Sequence, residues 1–325
     1  MIPGMQKSNT QRGTPRTTFL AAVLVVCTLL TWTAPAWWLG ELICNLRIQG
    51  LIAIAVVGGV AAVRRLWKHV GLLALCLVAN GWWLLPGDSV LTADSNEKSV
   101  RICTANILTS NHNHQLIVEE LLRSDADVIG VPELSFGQAH IFKGGSFAEE
   151  YPYSITQPNS DGNFGIGLYS RFPLVNARVH DFPLADIPSM AADIDANGQT
   201  FHVIATHVLA PMGSRWYRIR REHLDELAAY IQDQRRQRPA VPVIVFGDFN
   251  LTPWSPLLYD FLKKSGLKRT TSSVQPTWHA APVFAAGLHI DLILATDDVG
   301  CGPIVIGQSM KSDHLPVTAD FSRID

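Results

Sequence analysis

The chain has 325 residues, a formal charge of −2 and a pI of about 6.6, so no global basic field marks it as a nucleic-acid binder. The average hides a division: residues 1–98 hold 8 lysines and arginines against 4 acidic residues, which leaves 18 against 24 in residues 99–325, a net of −6. The 5 cysteines form no CxxC pair and no Cys/His cluster, so the sequence offers no zinc site.

In chain order, three apolar segments come first. Thr18–Leu39 carries no charge over about 22 residues, enough for about 33 Å of helix. Ile48–Val63 and Val70–Pro86 are shorter, near the lower limit for a span, and a re-entrant pair competes with two crossings. Ala34-Pro35-Ala36 loosely resembles a cleavage site, so a signal peptide stands as the other reading of the first segment. Lys7, Arg12 and Arg16 precede the first segment, and Arg64, Arg65 and Lys68 separate the second from the third. Positive clusters stay in the cytoplasm. The expectation is a membrane anchor over residues 1–86 with about three transmembrane helices. Residues 87–98 then form a polar linker, and residues 99–325 a domain outside the membrane. In a bacterial cell this is a multi-pass inner-membrane protein whose domain faces the periplasm.

Beyond the linker, Val100–Asn106 and Val128–Val131 read as buried strands around a helix over His114–Arg123, whose apolar residues fall at helical spacing. Phe164–Ser170, Leu174–Phe182, Ala191–Ala196 and Thr200–Leu209 read as strands. Trp216–Arg236 is a long amphipathic helix. Arg215, Arg218, Arg220 and Arg221 on it are read as a solvated face. Val243–Phe246 is a continuous apolar strand, Ser255–Ser265 a helix closed by Gly266, and Ile290–Ala295 and Val317–Phe321 the closing strands. Strands and helices are mixed, which predicts α/β or α+β with more than one sheet. Cys103 and Cys301 are either two buried thiols or one disulfide.

Several strands end in polar residues, where a rigid element can aim a side chain. Val243–Phe246 runs into Gly247-Asp248-Phe249-Asn250, and residues i and i+2 of an extended segment point the same way. Asp248 and Asn250 thus suit aligning a water against a phosphate, although both residue types also favour plain turns. Asp313-His314 precedes the final strand. Glu133 follows Val131-Pro132, a hard oxygen donor of the kind Mg2+ takes. His207 closes the strand from Thr200, Asp291 opens the one that follows His289, and Asn106 closes the first. A buried Asp needs a partner, and a histidine is a natural one.

The order of these residues resembles the endonuclease/exonuclease/phosphatase superfamily, the deoxyribonuclease-I-like fold, in a membrane-attached bacterial branch. The matching stretches are TANI (Asn106), PEL (Glu133), GIGLYSRFPL (165–174), THV (His207), RxxHL (Arg220–Leu224), GDFN (Asp248, Asn250), HIDLIL (Asp291) and SDHLP (Asp313, His314). The resemblance implies a four-layer α/β sandwich, two packed mixed sheets flanked by helices. It implies that Glu133 binds Mg2+ or Mn2+ with Asn106 and Asp313 close by, and that Asp248 orients or deprotonates the attacking water. Asn250 would hold a phosphate oxygen. His314, buttressed by Asp291, would stabilise charge on the phosphoryl group, and His207 would contact the phosphate. Pro132 departs from the pattern, since the family often has Gln or Asn before the Glu. The expected activity is metal-dependent hydrolysis of a phosphate ester, with nucleic acid or phospholipid as candidate substrates. A sphingomyelin-type phosphodiesterase is the narrower alternative, and a non-catalytic membrane-tethered binding protein the other. Trp254 and Trp278 either line a groove or pack.

Overall fold

The computed structural model of the chain describes residues 14–85, 100–181, 187–270, 274–279 and 287–324. The chain divides into two units, Met1–Leu85 and Pro86–Asp325. The expected linker, residues 87–98, lies outside the described residues.

The first unit is helical: α1 (Thr14–Leu30), α2 (Trp38–Asn45), α3 (Arg47–Val63) and α4 (Trp67–Gly81). Among the described residues, one helical stretch, Pro15–Thr33, is long and apolar enough to cross a membrane by itself, where the sequence reading expects about three. α2 and α3 pass that test only together, bent by 70°, so the apolar run over Ile48–Val63 begins with a break at Leu46. α4 covers 15 residues, about 22 Å of helix against a hydrocarbon core of about 30 Å. Glu41 and Arg47 sit in α2 and α3 and are buried. Arg47 donates to Asn80 Oδ1 at 3.4 Å, and Asn80 Nδ2 donates to Thr28 Oγ1 at 3.0 Å. Meanwhile Phe19, Val56, Trp67, Leu75 and Val78 are exposed. Buried polar groups lie beside a small apolar core of Ala21, Ile54, Leu73 and Cys76, while much of the outer surface is apolar, unlike a water-soluble bundle.

The second unit is built on two sheets. Its strands are β1 (Val100–Thr104), β2 (Val128–Pro132), β3 (Tyr153–Gln157), β4 (Ile166–Ser170), β5 (Val175–Asp181), β6 (Pro188–Ala196) and β7 (Gln199–His207), then β8 (Val243–Asp248), β9 (Lys268–Arg269), β10 (Asp291–Ala295), β11 (Val299–Cys301), β12 (Val305–Ile306) and β13 (Val317–Arg323). Among the described residues, the first sheet runs β11-β13-β1-β2-β4-β3, with β12 also on β13, and the second runs β5-β6-β7-β8-β10-β9. β1/β2 and β7/β8 are parallel and the other pairs antiparallel, so both sheets are mixed.

Period-two alternation sorts each strand's side chains between two cores. Val100, Ile102, Val128, Phe201, Val203, Ala205, Ile244 and Phe246 meet between the sheets. Cys103, Ile129 and Val131 turn the other way, onto α5 (His114–Arg123), α6 (Phe136–Ile141) and α7 (Gly145–Glu150). α8 (Ser214–Gln237) and α9 (Pro256–Ser265) belong with the second sheet: His202 and Thr206 of β7 reach Tyr230 and His223 of α8. This is the expected four-layer α/β sandwich. The sheets approach closely at Gly130, where a Cβ would stand 2.7 Å from the Phe246 ring and 3.0 Å from the Ala205 Cβ.

α5 keeps its expected bounds, and α9 starts one residue later than expected because Ser255 is its cap, accepting from the backbone N–H of Leu257 and Leu258. α6, α7 and the strands β3, β9, β11 and β12 were not anticipated. Arg220 corrects the reading of a solvated basic face: it is fully buried. Cys103 and Cys301 are both buried thiols.

Candidate active site

Six of the eight predicted residues converge at one edge of the sandwich, and the topology explains why. The parallel pairs β1/β2 and β7/β8 end at this edge, while β10 and β13 begin there. Asn106 lies just past β1 and Glu133 just past β2; His207 ends β7, Asp248 ends β8, Asp291 starts β10, and His314 precedes β13. Register tightens the grouping. Asp248 is paired directly with His207 on one side and Asp291 on the other.

Asp248 sits at the centre, 2% exposed. Its Oδ1 accepts the backbone N–H of Asn250 at 2.9 Å. Its Oδ2 accepts from Asn106 Nδ2 at 3.1 Å and lies 3.5 Å from His207 Nε2 and 3.6 Å from His314 Nε2. Asn106 is fully buried, and the same Nδ2 donates to Glu133 Oε1 at 3.0 Å, so one amide bridges two carboxylates. Thr109 holds the other Glu133 oxygen through its backbone N–H at 3.3 Å.

Two opposed aspartates on neighbouring strands repel one another. His314 relieves that repulsion. Its Nδ1 is 2.8 Å from Asp291 Oδ2, while Nε2 faces Asp248. Burial works against a charge on the ring, but Asp291 and Asp248 outweigh it and hold the imidazole up to about 10. Burial likewise pushes the Asp248 carboxyl up to about 7, with His314 pulling against it and Asp291 adding to it. Glu133 is raised by burial, and His207 is lowered by it, so His207 is neutral near pH 7.

The loops are pinned by Ser312 and Thr277, to which the sequence reading gave no role, and by Arg220, which it read as part of a solvated face. Ser312 Oγ donates to the Asn106 carbonyl at 2.7 Å, tying the SDH loop to the end of β1. Thr277 Oγ1 accepts from the backbone N–H groups of Ile290 and Asp291, each at 3.1 Å. Arg220 reaches from α8 to donate to the Asn250 carbonyl at 2.6 Å. Isolated Ser, Thr and Arg residues carry no local signal for such contacts. Gly247 was legible as part of GDFN: a Cβ there would lie 1.8 Å from the Thr206 carbonyl oxygen. Glu133 (φ 59°), Leu108 (φ 61°) and Asn250 (φ 51°) all adopt the left-handed region, which costs about 1–3 kcal/mol at a non-glycine residue and concentrates at functional sites.

Asn250 and Asp313 are placed differently from the six. Asn250 turns its Nδ2 to the Val208 carbonyl at 2.9 Å. Asp313 takes the Trp278 indole N–H on Oδ2 at 2.9 Å, and its Oδ1 is buried without a hydrogen-bond partner among the described residues. Trp278 thus holds a site loop, whereas Trp254 is packed in the interior.

The donor set suits a divalent cation. Ligand atoms of Glu133, His207 and Asp248 lie within 4.8 Å of one another, as do those of Asp248, Asp291 and His314. Ligands about 2.0–2.1 Å from Mg2+ fall within such a spread, and buried carboxylates raised by desolvation favour a cation. Asn106 presents its amide nitrogen to both carboxylates, while its Oδ1 accepts the backbone N–H of Leu108 at 3.1 Å. Asp313 joins neither group, among the described residues.

The profile of the Endonuclease/Exonuclease/phosphatase family matches residues 103–314. The chain belongs to that family. Similar solved structures include an endonuclease/exonuclease/phosphatase from Beutenbergia cavernae, at TM-score 0.57 and 18% identity over 70% of this chain and 72% of that one. D. rerio TDP2 complexed with single strand DNA product gives 0.57 and 16%, over 70% and 100%. Sphingomyelinase C from Streptomyces griseocarneus gives 0.53 and 16%, over 69% and 99%. At these identities the likeness speaks to the fold. No curated protein matches the sequence.

Proposed function

We propose that the domain hydrolyses a phosphate ester by in-line attack of water on phosphorus, with Mg2+ or Mn2+ held by Glu133 with Asn106 beside it. The observation that carries this reading is the convergence on Asp248 Oδ2 of Asn106 at 3.1 Å, His207 at 3.5 Å and His314 at 3.6 Å. The cation would neutralise phosphate charge and ease departure of the leaving oxygen. Asp248, with a carboxyl pushed up to about 7, is matched to taking a proton from water near neutrality. His314 stays protonated and offers its Nε2–H to the charge that grows on the phosphoryl oxygens, while Asp291 holds the other nitrogen. His207, neutral, gives one N–H to the phosphate, and Asn250 borders the same space from the GDFN turn.

The test is turnover of a chromogenic phosphodiester with Mg2+ and with chelator. Asp248→Ala and His314→Ala should each abolish it. Turnover that survives both would leave a binding protein on this fold.

Membrane attachment belongs to the same proposal. Residues 1–86 anchor the protein through up to three helices, residues 87–98 are the linker, and the domain lies on the periplasmic side. The support is the apolar exterior of the helical unit, and the basic clusters around the start of α1 and around the α3–α4 turn. A reporter active only in the cytoplasm, fused after residue 95, should stay silent. A phospholipid or another small phosphate ester suits an acidic, tethered domain better than long duplex DNA, whose binding depends on phosphate neutralisation. Parallel assays on phospholipid vesicles, single strands and plasmid would decide among them.

A further inference from the structure

A second polar pocket of about 400 Å³ lies on the second sheet, lined by Arg178, His180, Asp193, His202, Tyr230 and Arg238 among others. It is separate from the site above. His202 and His207 share β7, but their separation is about 16 Å along a strand and its odd parity puts them on opposite faces.

The floor of the pocket is built and internally satisfied. Asp193 Oδ1 pairs with His202 Nδ1 at 2.7 Å, and its Oδ2 accepts from Asn176 Nδ2 at 2.9 Å and Arg238 Nη1 at 2.6 Å. Burial opposes ionisation of Asp193, yet the hydrogen bonds from His202, Asn176 and Arg238 hold its carboxyl well below the usual carboxylate range. His202 Nε2 is 2.9 Å from the Tyr230 hydroxyl, and the Tyr230 ring lies 4.1 Å from that of His180. The wall is different. Arg178 is exposed on the edge strand β5 and makes no hydrogen bond or ion pair among the described residues. Asp233, the other acid of the lining, is already engaged by Arg236 at 3.3 Å. The register of β5 on β6 shifts between Val175 and Arg178, with Asn176 at φ 52°. Such bulges re-aim side chains and are enriched beside functional sites.

Asp193 is neutralised by His202 and Arg238, Asp233 is engaged by Arg236, and among the described residues the Arg178 guanidinium has no hydrogen-bonded or ion-paired partner beside His180 and the Tyr230 hydroxyl. In a domain of net charge −6 this is a local positive spot with donors around it. From this we infer that the pocket binds the oxyanion end of a small ligand, a phosphate or carboxylate group, on Arg178 and His180, with the Tyr230 hydroxyl and Arg238 at its sides. The rings of His180 and Tyr230 leave apolar faces for the ligand's carbon skeleton.

The test uses the full chain in detergent micelles, with chelator present and histidine rings labelled with nitrogen-15. Inorganic phosphate and acetate are titrated separately, and His180 is assigned from His180→Gln. The expected result is a saturable shift of the His180 ring with at least one anion. That shift should be lost in Arg178→Gln, whose melting temperature stays at the wild-type value because the side chain is exposed. Saturation by phosphate alone identifies a phosphate ligand, and saturation by acetate as well a carboxylate-tolerant one. No saturable shift would overturn the inference, as would one that persists in Arg178→Gln or that chloride reproduces at equal ionic strength.

Discussion

Asp291→Asn removes the carboxylate 2.8 Å from His314 Nδ1 and leaves a side chain of the same size. In the wild type, burial opposes the imidazolium, yet Asp291 and Asp248 carry the ring up to about 10. An opposite charge at this range is worth roughly 1–3 pK units. With Asp248 as the remaining close carboxylate, the ring should release its proton about 1–3 units lower. In the proposed chemistry the protonated ring is the active form, so the basic limb of kcat/KM moves down by the same amount. For a shift of about 2 units, the protonated fraction at pH 9 falls to about one tenth, while pH 6 is little affected. The sign is the same for stability. A histidine whose folded pKa lies above its unfolded value of about 6.5 stabilises fully below that pH and loses the contribution as pH rises through about 10. The assay is initial-rate hydrolysis of a chromogenic diester at fixed Mg2+, across about pH 6–10. A variant profile of unchanged shape, merely lower at every pH, would refute the reasoning and leave Asp291 as a spacer.

The cation should be visible without turnover. Burial raises Glu133, and raises Asp248 to about 7, so both carboxylates cost stability as pH climbs above their unfolded range of about 4. Mg2+ should therefore raise the melting temperature at about pH 8, by an amount that shrinks as pH falls and protons compete; Glu133→Gln should lose most of that rise in a scanning-fluorimetry titration. Arg220→Met deletes a buried charged donor to the Asn250 carbonyl, worth about 1.5–3 kcal/mol, or about 3–12 °C for a domain of this size, and an unmoved calorimetric midpoint would show the clamp to be idle. Gly130→Ala forces a methyl to within 2.7 Å of the Phe246 ring and should cost about 1–3 kcal/mol in urea unfolding, with a fall in turnover as the two halves of the site part.

The sequence carried the site better than the small elements around it. Asp248, His314 and Glu133 were legible because continuous apolar strands stop abruptly at polar residues, and Val243–Asp248 is the clearest case. α8 and α9 were legible from amphipathic period and caps. β9, β11 and β12 were not, since strands of two or three residues leave no alternation to read. Arg220 misled for a physical reason: on an arginine-rich helix nothing local separates the one guanidinium that turns inward to a loop carbonyl from those that stay in water. The roles of Thr277 and Ser312 depend on contacts across long loops in sequence, which period and propensity do not encode. In the helical unit, hydropathy located the apolar runs but not the break at Leu46 or the polar interior around Arg47 and Asn80.

The strand order has a temporal consequence. β13 is inserted between β11 and β1, so the earliest strand of the domain is completed by the latest in chain order, and His314 arrives with it. A nascent domain therefore holds Asn106, Glu133, His207, Asp248 and Asp291 while lacking the imidazole that separates the two facing aspartates. On the chemistry proposed above, the site therefore lacks its imidazole until residues 314–323 have emerged and seated.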